Sequence, residues 1–316
     1  MEGWVAVTHH GWFDFLARKR TWEEVNFWTP SDHYAFRGTP GAPFLFKLKS
    51  PRNAIGGFGF FSRFDKLPEW YAWECFKEGN GAATLDDMQA RLGDIRERNH
   101  MAERSGISQI GCILLAQATF FPPDMWIPQP IDWPPQNLRS KRYDLTVGEG
   151  QRVWQQCLER AAALRDPSGW AAAPATFVGE SKLRFGSPVL TRPRLGQGTF
   201  RVAVTGAYHR ACAVTGEHSL PALEAAHIRP YGKGGEHEVS NGLLLRSDVH
   251  RLFDRGYVTV TPEHRILVSP RLKSDYENGK SYYPFDGKQL VVRPDGGADQ
   301  PDADCLDWHN THVFLS

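Results

Sequence analysis

Residues 223–256 read LEAAHIRPYGKGGEHEVSNGLLLRSDVHRLFDRG and hold the strongest pattern in this 316-residue chain. The first nine letters are typical of a β-strand, and the glycine-rich letters after them are typical of a loop. The stretch from NGLLL onward predicts a helix that begins at Asn241 or soon after. Three polar residues are set into this pattern, because His227 stands 14 residues before Asn241 and His250 stands nine residues after it.

These three residues, on a predicted strand, loop and helix, resemble the HNH, or ββα-metal, motif of McrA-like, modification-dependent restriction endonucleases. The resemblance implies that His227 is the general base for hydrolysis of a DNA phosphodiester, since a neutral imidazole accepts a proton near neutral pH. It implies that His250 binds a single divalent cation, Mg²⁺ or Mn²⁺, which stabilises charge on the phosphate. Asn241 would fix the loop and orient His227 or the scissile phosphate, and in some relatives it approaches the metal.

The metal ligands depart from the usual motif at the residue before the first histidine. Many HNH motifs have Asp or His there as a second ligand, and this chain has Ala226. Asp254 is the first candidate to replace it, because it follows His250 by four residues and shares its helical face. Glu224 is a weaker candidate, on the strand face of Ala226. Few protein ligands predict loose metal binding that water and phosphate oxygens complete.

Cysteine spacing bears on the cellular compartment. The five cysteines lie far apart without a CxxC pair. We therefore expect neither a disulfide framework nor a structural zinc site, and the pattern is typical of the reducing cytoplasm. The N-terminus lacks the basic and apolar regions of a signal peptide, and no run of 18 apolar residues predicts a membrane segment.

A formal net charge of +1 gives no global field that would mark a nucleic-acid-binding protein, so any such signal is local. Residues 181–210 contain six Lys and Arg and no acidic residue. We expect DNA-backbone contacts from four arginines, with a solvated surface charge as the alternative for each: Arg194, Arg201, Arg229 and Arg246. Three other histidines are expected to be structural, namely His218, His237 and His309.

The first part of the chain predicts short strands bounded by Gly or Pro, with one helix between them. Residues 25–38, VNFWTPSDHYAFRG, and 43–61, PFLFKLKSPRNAIGGFGFF, resemble the EVE type of the PUA superfamily. Domains of that superfamily can bind a modified base flipped from the duplex, and the resemblance therefore implies aromatic faces for stacking and polar groups for the base edge. The candidate pocket residues are Trp28, Phe36, Trp70 and Trp73 for stacking and Asn26, Ser31 and Asp32 for hydrogen bonds.

The sequence thus predicts an α+β protein in three segments: an EVE/PUA-like mixed β-barrel reader at 1–145, a helix and linker at 146–185, and an HNH domain at 186–316. It predicts cleavage of double-stranded DNA carrying 5-methyl- or 5-hydroxymethylcytosine. A homodimer is expected, because one HNH site cuts one strand. Two alternatives stay open: an HNH nuclease whose first domain reads another feature, and a nucleic-acid-binding protein with a degenerate HNH domain.

Overall fold

The computed structural model describes residues 1–31, 33, 35–101, 108–134, 139–165 and 196–316. The chain divides into two compact units, Met1–Arg194 and Leu195–Ser316. Each unit is described by itself below. No helix among the described residues is long and apolar enough to cross a membrane.

The first unit is built on one mixed sheet. Its strands are β1 (Glu2–Thr8), β2 (Thr21–Thr29), β3 (Pro43–Leu48), β4 (Ala54–Pro68), β5 (Gln109–Phe120), β6 (Ile127–Pro128) and β7 (Ser140–Asp144). The order is β2–β5–β4–β3–β1–β7, with β6 paired to β4. β1 and β3 run parallel, and the other pairs are antiparallel. The helices are α1 (His10–Leu16), α2 (Glu69–Phe76), α3 (Leu85–Arg98) and α4 (Gly148–Arg165), so the predicted α+β class is confirmed.

Aromatic side chains fill the core of this unit. Every residue of β3 is buried. Phe46 of β3 stacks on Phe120 of β5 with ring centroids 5.1 Å apart, and Trp12 of α1 meets Phe46 edge-on at 5.4 Å. β4 is 15 residues long, and its register with β5 shifts twice. Such bulges bend a strand, which lets one long strand follow the curve of a twisted sheet. α4 packs through Trp154, whose ring lies 5.1 Å from that of Phe58.

The second unit combines helices with two short hairpins. Its elements are α5 (Gln197–Ala207), β8 (Leu223–His227), β9 (Gly242–Arg246), α6 (Ser247–Asp254), β10 (Val258–Val260), β11 (Ile266–Val268), α7 (Arg271–Tyr276) and α8 (Ala303–His312). β8 pairs antiparallel with β9, and β10 with β11. β10 and β11 lie on either side of Thr261 and Pro262.

The helix predicted to begin near Asn241 is wrong in its first part. Residues 242–246 form β9, and the helix begins only at Ser247. Leu243, Leu244 and Leu245 are all buried. A short apolar run that is buried on both sides fits a strand as well as a helix, so periodicity alone does not separate the two. Pairing with β8 decides for the strand.

Candidate active site

The elements β8, β9 and α6 form a ββα unit that places the candidate site residues. His227 is the last residue of β8 and pairs with Gly242, the first residue of β9. His250 lies in the middle of α6. Gly242 has no room for a side chain, because a Cβ there would lie 2.5 Å from Val204 of α5. α5 therefore packs directly on the hairpin that carries the site.

Asn241 closes the loop that joins the two strands. Its amide group is buried, with the residue only 3% exposed. Nδ2 donates to the carbonyl oxygens of Arg229 and Glu236, both at 2.9 Å, and Oδ1 accepts from the Arg229 N–H at 2.9 Å. A Cβ at Gly235 would overlap the Arg229 carbonyl oxygen, so only glycine fits beside these three hydrogen bonds, which we call the Asn241 clip. Both amide hydrogens are used inside the loop, which is the role of a residue that fixes loop geometry.

His227 is held from two sides. Its ring stacks on Phe200 of α5 with centroids 4.0 Å apart and planes 11° apart. Its Nε2 shares a hydrogen bond of 2.9 Å with Nδ1 of His237. The pKa of His227 is lowered to about 4, first by burial and then by the imidazoles of His237 and His250. The ring is therefore neutral near pH 7, the state in which an imidazole accepts a proton.

His237 is a residue whose place the sequence did not reveal. It lies in the loop closed by Asn241, and its ring stacks on Tyr231 at 4.8 Å with planes 6° apart. The hydrogen bond to His227 gives it a position next to the candidate base. No spacing rule marks such a residue, because only the folded loop brings the two rings together.

His250 lies between two carboxylates. Its Nδ1 donates to Glu224 Oε2 at 2.6 Å, and its Nε2 lies 3.4 Å from Asp254 Oδ2. Burial lowers the pKa of His250, but the hydrogen bonds to Asp254 and Glu224 outweigh it, so the net shift is upward. The pKa of Asp254 is lowered, first by its hydrogen bond with His250. Ala226 is fully buried in the core of this unit.

Two side chains, those of His250 and Asp254, decide whether this site fits a divalent ion. In the described part of the chain, no set of three or more His, Cys, Asp or Glu is arranged to hold a metal. His250 Nε2 and the Asp254 carboxylate nevertheless have the separation of neighbouring ligands, since two bonds of about 2.1 Å place them about 3.0 to 3.4 Å apart. Glu224 on Nδ1 would orient His250 as a ligand, in the way that carboxylates orient metal-binding histidines. His250 and Asp254 would hold such an ion loosely, and water and phosphate oxygens would complete its ligands.

The arginines expected at DNA differ in their surroundings. Arg246 forms a bidentate pair with Asp248, at 2.6 and 2.8 Å. Arg229 donates to the Lys233 carbonyl at 2.7 Å and lies over the Trp308 ring at 5.5 Å. Arg201 lies on the first turns of α5. Arg194 is outside the described residues.

The first unit contains a cavity of about 990 Å³. Trp28 and Phe36, two of the expected pocket residues, line it. Trp28 is 8% exposed, and its Nε1 donates to the Asn80 carbonyl at 2.8 Å, which fixes the ring. Phe36 packs edge-on against Phe61 with centroids 5.0 Å apart. Two of the expected aromatic faces therefore meet at one cavity.

Four other expected pocket residues are not among those that line the cavity: Asn26, Ser31, Trp70 and Trp73. Asn26 is fully buried, and its Nδ2 contacts Asn80 Oδ1 at 2.9 Å and Cys112 Sγ at 3.3 Å. Trp70 and Trp73 are half-buried on α2. Asp32 is outside the described residues. In their place the cavity is lined by residues that the sequence did not single out, including Lys47 and Trp133.

Comparison with known proteins places a nuclease motif on the second unit. Residues 212–261 match the family model described as an HNH endonuclease, and this segment contains His227, Asn241 and His250. No curated protein matches the chain. The solved ASCH structure from Zymomonas mobilis is similar at 10% identity and a TM-score of 0.32, over 48% of this chain and 94% of that one. The structure of the modification-dependent TagI restriction endonuclease is similar at 14% identity and a TM-score of 0.29, over 98% of this chain and 81% of that one. The second unit thus carries an HNH endonuclease domain.

Proposed function

We propose that this protein is a modification-dependent endonuclease: the HNH domain hydrolyses DNA, and the first unit selects DNA that carries modified cytosine. The observation that carries the proposal is the neutral, ring-stacked His227, placed on a ββα unit whose α6 presents His250 and Asp254. The unit lies within the segment that matches the HNH endonuclease model.

In the proposed reaction, His227 accepts a proton from the water whose oxygen bonds to phosphorus. The bond from phosphorus to the 3′ oxygen breaks, that oxygen takes a proton from solvent, and 5′-phosphate and 3′-hydroxyl ends remain. His237 orients the ring of His227 through their shared hydrogen bond. A divalent ion, Mg²⁺ or Mn²⁺, would supply electrostatic stabilisation of the phosphate charge and would be held by His250 and Asp254.

The reading role is assigned to the cavity of the first unit. A flipped base needs aromatic faces on which to stack, and Trp28 and Phe36 supply them. Selection by this unit is needed because an HNH site grips mainly phosphates, which carry no sequence information. We also propose that two copies act together, since one site cuts one strand.

A binding protein with a degenerate nuclease domain is the second candidate. It is favoured by Ala226, which faces the core where a metal ligand is usual, and by the two-ligand set at His250. On this reading the first unit still binds modified DNA, but the second unit does not cut it.

The test uses the full chain and duplexes that differ at one base, which is cytosine, 5-methylcytosine or 5-hydroxymethylcytosine. With Mg²⁺ or Mn²⁺ we expect cleavage of the modified duplexes, no cleavage in chelator, and none by the His227→Ala variant. Equal cleavage of all three duplexes would overturn modification dependence. Binding without cleavage under every metal condition would favour the second candidate.

A further inference from the structure

Lys47 of β3 is a lysine at an almost fully buried position, with the residue 4% exposed. Its ammonium donates to the Leu48 carbonyl at 3.2 Å and lies 5.2 Å from the centroid of the Trp133 ring. Within the described part of the chain no carboxylate pairs with it, and burial lowers its pKa. Lysine is rarely buried without an anionic partner, because the free energy of removing an ammonium group from water exceeds the stabilisation that neutral contacts provide.

The other charged residues that line the cavity, within the described part of the chain, are positive like Lys47. Its described lining residues include Lys49 and Arg139, both exposed, and no Asp or Glu. His9 also lines it, and the pKa of His9 is lowered to about 4, first by burial and then by the charges of Lys49, Arg91 and Arg98. A cavity with cations and no carboxylate attracts an anionic ligand.

Two buried polar atoms in the cavity lining have no hydrogen-bond partner among the described residues: His9 Nδ1 and Gln129 Oε1. Unpaired buried polar groups are uncommon in folded proteins, and a ligand is one of the ways in which they are satisfied. Aromatic faces from Trp28 and Phe36 line the same space. The ligand indicated is a flat heterocycle with polar edges and an anionic or oxygen-rich group.

We propose, as an extension of the function proposed above, that Lys47 makes this cavity select a base whose substituent carries an anionic or acceptor oxygen over a base with a methyl group. A methyl group accepts no hydrogen bond that would replace the lost hydration of the ammonium group. A carboxylate forms a charge-assisted hydrogen bond with it. The volume of about 990 Å³ is near the upper end of ordinary ligand pockets, so it accommodates a substituent larger than methyl.

The two lysines have different tasks in this proposal because they differ in depth. Lys47 is buried, so it meets the part of the ligand that enters furthest, which is the flipped base. Lys49 lines the same cavity but is exposed, so in this proposal it contacts the DNA backbone at the opening of the cavity. Lys47 therefore sets the preference among bases, and Lys49 adds affinity for any duplex.

The test measures binding by fluorescence anisotropy, in chelator so that no cleavage occurs. The probes are duplexes of one sequence with a central cytosine, 5-methylcytosine, 5-hydroxymethylcytosine or 5-carboxylcytosine. We expect 5-carboxylcytosine to bind tighter than 5-methylcytosine by about tenfold or more. Lys47→Met should bring the two to equal affinity, and the matched control Lys49→Met should weaken all four duplexes alike. Thermal melts check that each variant folds. If Lys47→Met does not fold, the Lys47→Gln variant is measured in its place.

The outcomes separate this inference from the function on which it rests. Tighter binding of 5-methylcytosine than of 5-carboxylcytosine overturns the inference and leaves modification dependence in place. Equal weakening of all four duplexes by Lys47→Met also overturns it, because the ammonium then contacts a backbone phosphate. Lack of preference for any modified duplex overturns both.

Discussion

Nε2 of His227 lies 2.9 Å from Nδ1 of His237, so the proposed general base is hydrogen-bonded to a second histidine. Each ring is also stacked on an aromatic side chain, His227 on Phe200 and His237 on Tyr231. Each ring is stacked on one face, and the two rings share a hydrogen bond. The His227 ring therefore has little freedom to rotate. Its remaining ring nitrogen is thereby held in one direction.

Removal of this partner should slow cleavage without weakening DNA binding. We expect His237→Ala to reduce the single-turnover rate by about tenfold, since it loses orientation, and His227→Ala to reduce it by about 10² to 10⁴, since it loses the base itself. The exposed His218 provides the control, because His218→Ala removes a histidine of the same unit away from the pair. A wild-type rate in His237→Ala would contradict the positioning role.

Loss of the Asn241 clip should lower both stability and activity. Asn241→Ala leaves the Arg229 N–H and two carbonyl oxygens without partners, and we expect the free energy of unfolding to fall by about 2 to 4 kcal/mol in urea titrations. Asn310→Ala is the matched control, since Asn310 Nδ2 also donates to two carbonyl oxygens, those of Val260 and Leu306. The control should lose stability and retain its cleavage rate while folded. If both variants keep that rate, Asn241 does not shape the site.

Asp254→Asn should raise the metal concentration needed for half-maximal cleavage. The variant removes one of two proposed ligands, and we expect a shift of about tenfold or more, with the rate recovered at high Mn²⁺. Asp304→Asn, an exposed change on α8, should leave the metal titration unchanged. An unchanged titration in Asp254→Asn would show that the ion is held elsewhere.

The buried His309 should make the fold less stable in acid. It is 2% exposed, its Nε2 donates to the Phe253 carbonyl, and its Nδ1 accepts from the Thr259 hydroxyl. Burial lowers its pKa to about 4, against about 6.5 in the unfolded chain, so the unfolded chain binds more protons below pH 6.5. Stability is therefore complete above pH 6.5 and is lost as the pH falls toward 4.

Thermal melts between pH 7.5 and pH 4.5, about one unit apart, measure this dependence. We expect Tm to fall with the pH below 6.5, and His309→Gln to make the slope shallower. The exposed His312 on the same helix is the control, since His312→Gln should keep the wild-type slope. The same slope in wild type and in His309→Gln would contradict the assignment.

Trp28→Ala should abolish the preference for modified DNA. Loss of one stacking face costs about 1 to 3 kcal/mol per base, and DNA-backbone contacts outside the cavity remain. Competition binding with modified and unmodified duplexes measures the preference. Trp22→Ala is the control, because Trp22 lies on the same strand and does not line the cavity. A preference retained in Trp28→Ala would place the reading pocket elsewhere.

The local sequence pattern specifies the ββα unit more fully than the pocket. His227, Asn241 and His250 lie within a local pattern, and the HNH match covers all three. Leu243 to Leu245 were misassigned to a helix, because a run buried on both sides has no periodic exposure. The sequence does not predict the start of β2, because Glu23 and Glu24 interrupt the apolar alternation that marks a half-buried strand.

The pocket depends on contacts between residues distant in sequence. An alternating strand would place Lys47 on an exposed face, yet both faces of β3 are covered, so its burial follows from tertiary packing. Asn26 stands two residues from Trp28 and was expected at the same pocket, but its amide group reaches Asn80, 54 residues away. Composition identifies aromatic residues, and only the fold decides which of them border a cavity.

The Asn241 clip determines when the loop between β8 and β9 becomes ordered. Three hydrogen bonds hold the loop that carries His237 before any DNA arrives, so the conformational entropy of that loop is lost once, during folding. Each encounter with a phosphodiester then meets rings already in place, and binding energy is not consumed in arranging them. The site then acts as a rigid template, and a change in temperature should affect the rate of the chemical step more than the order of this loop.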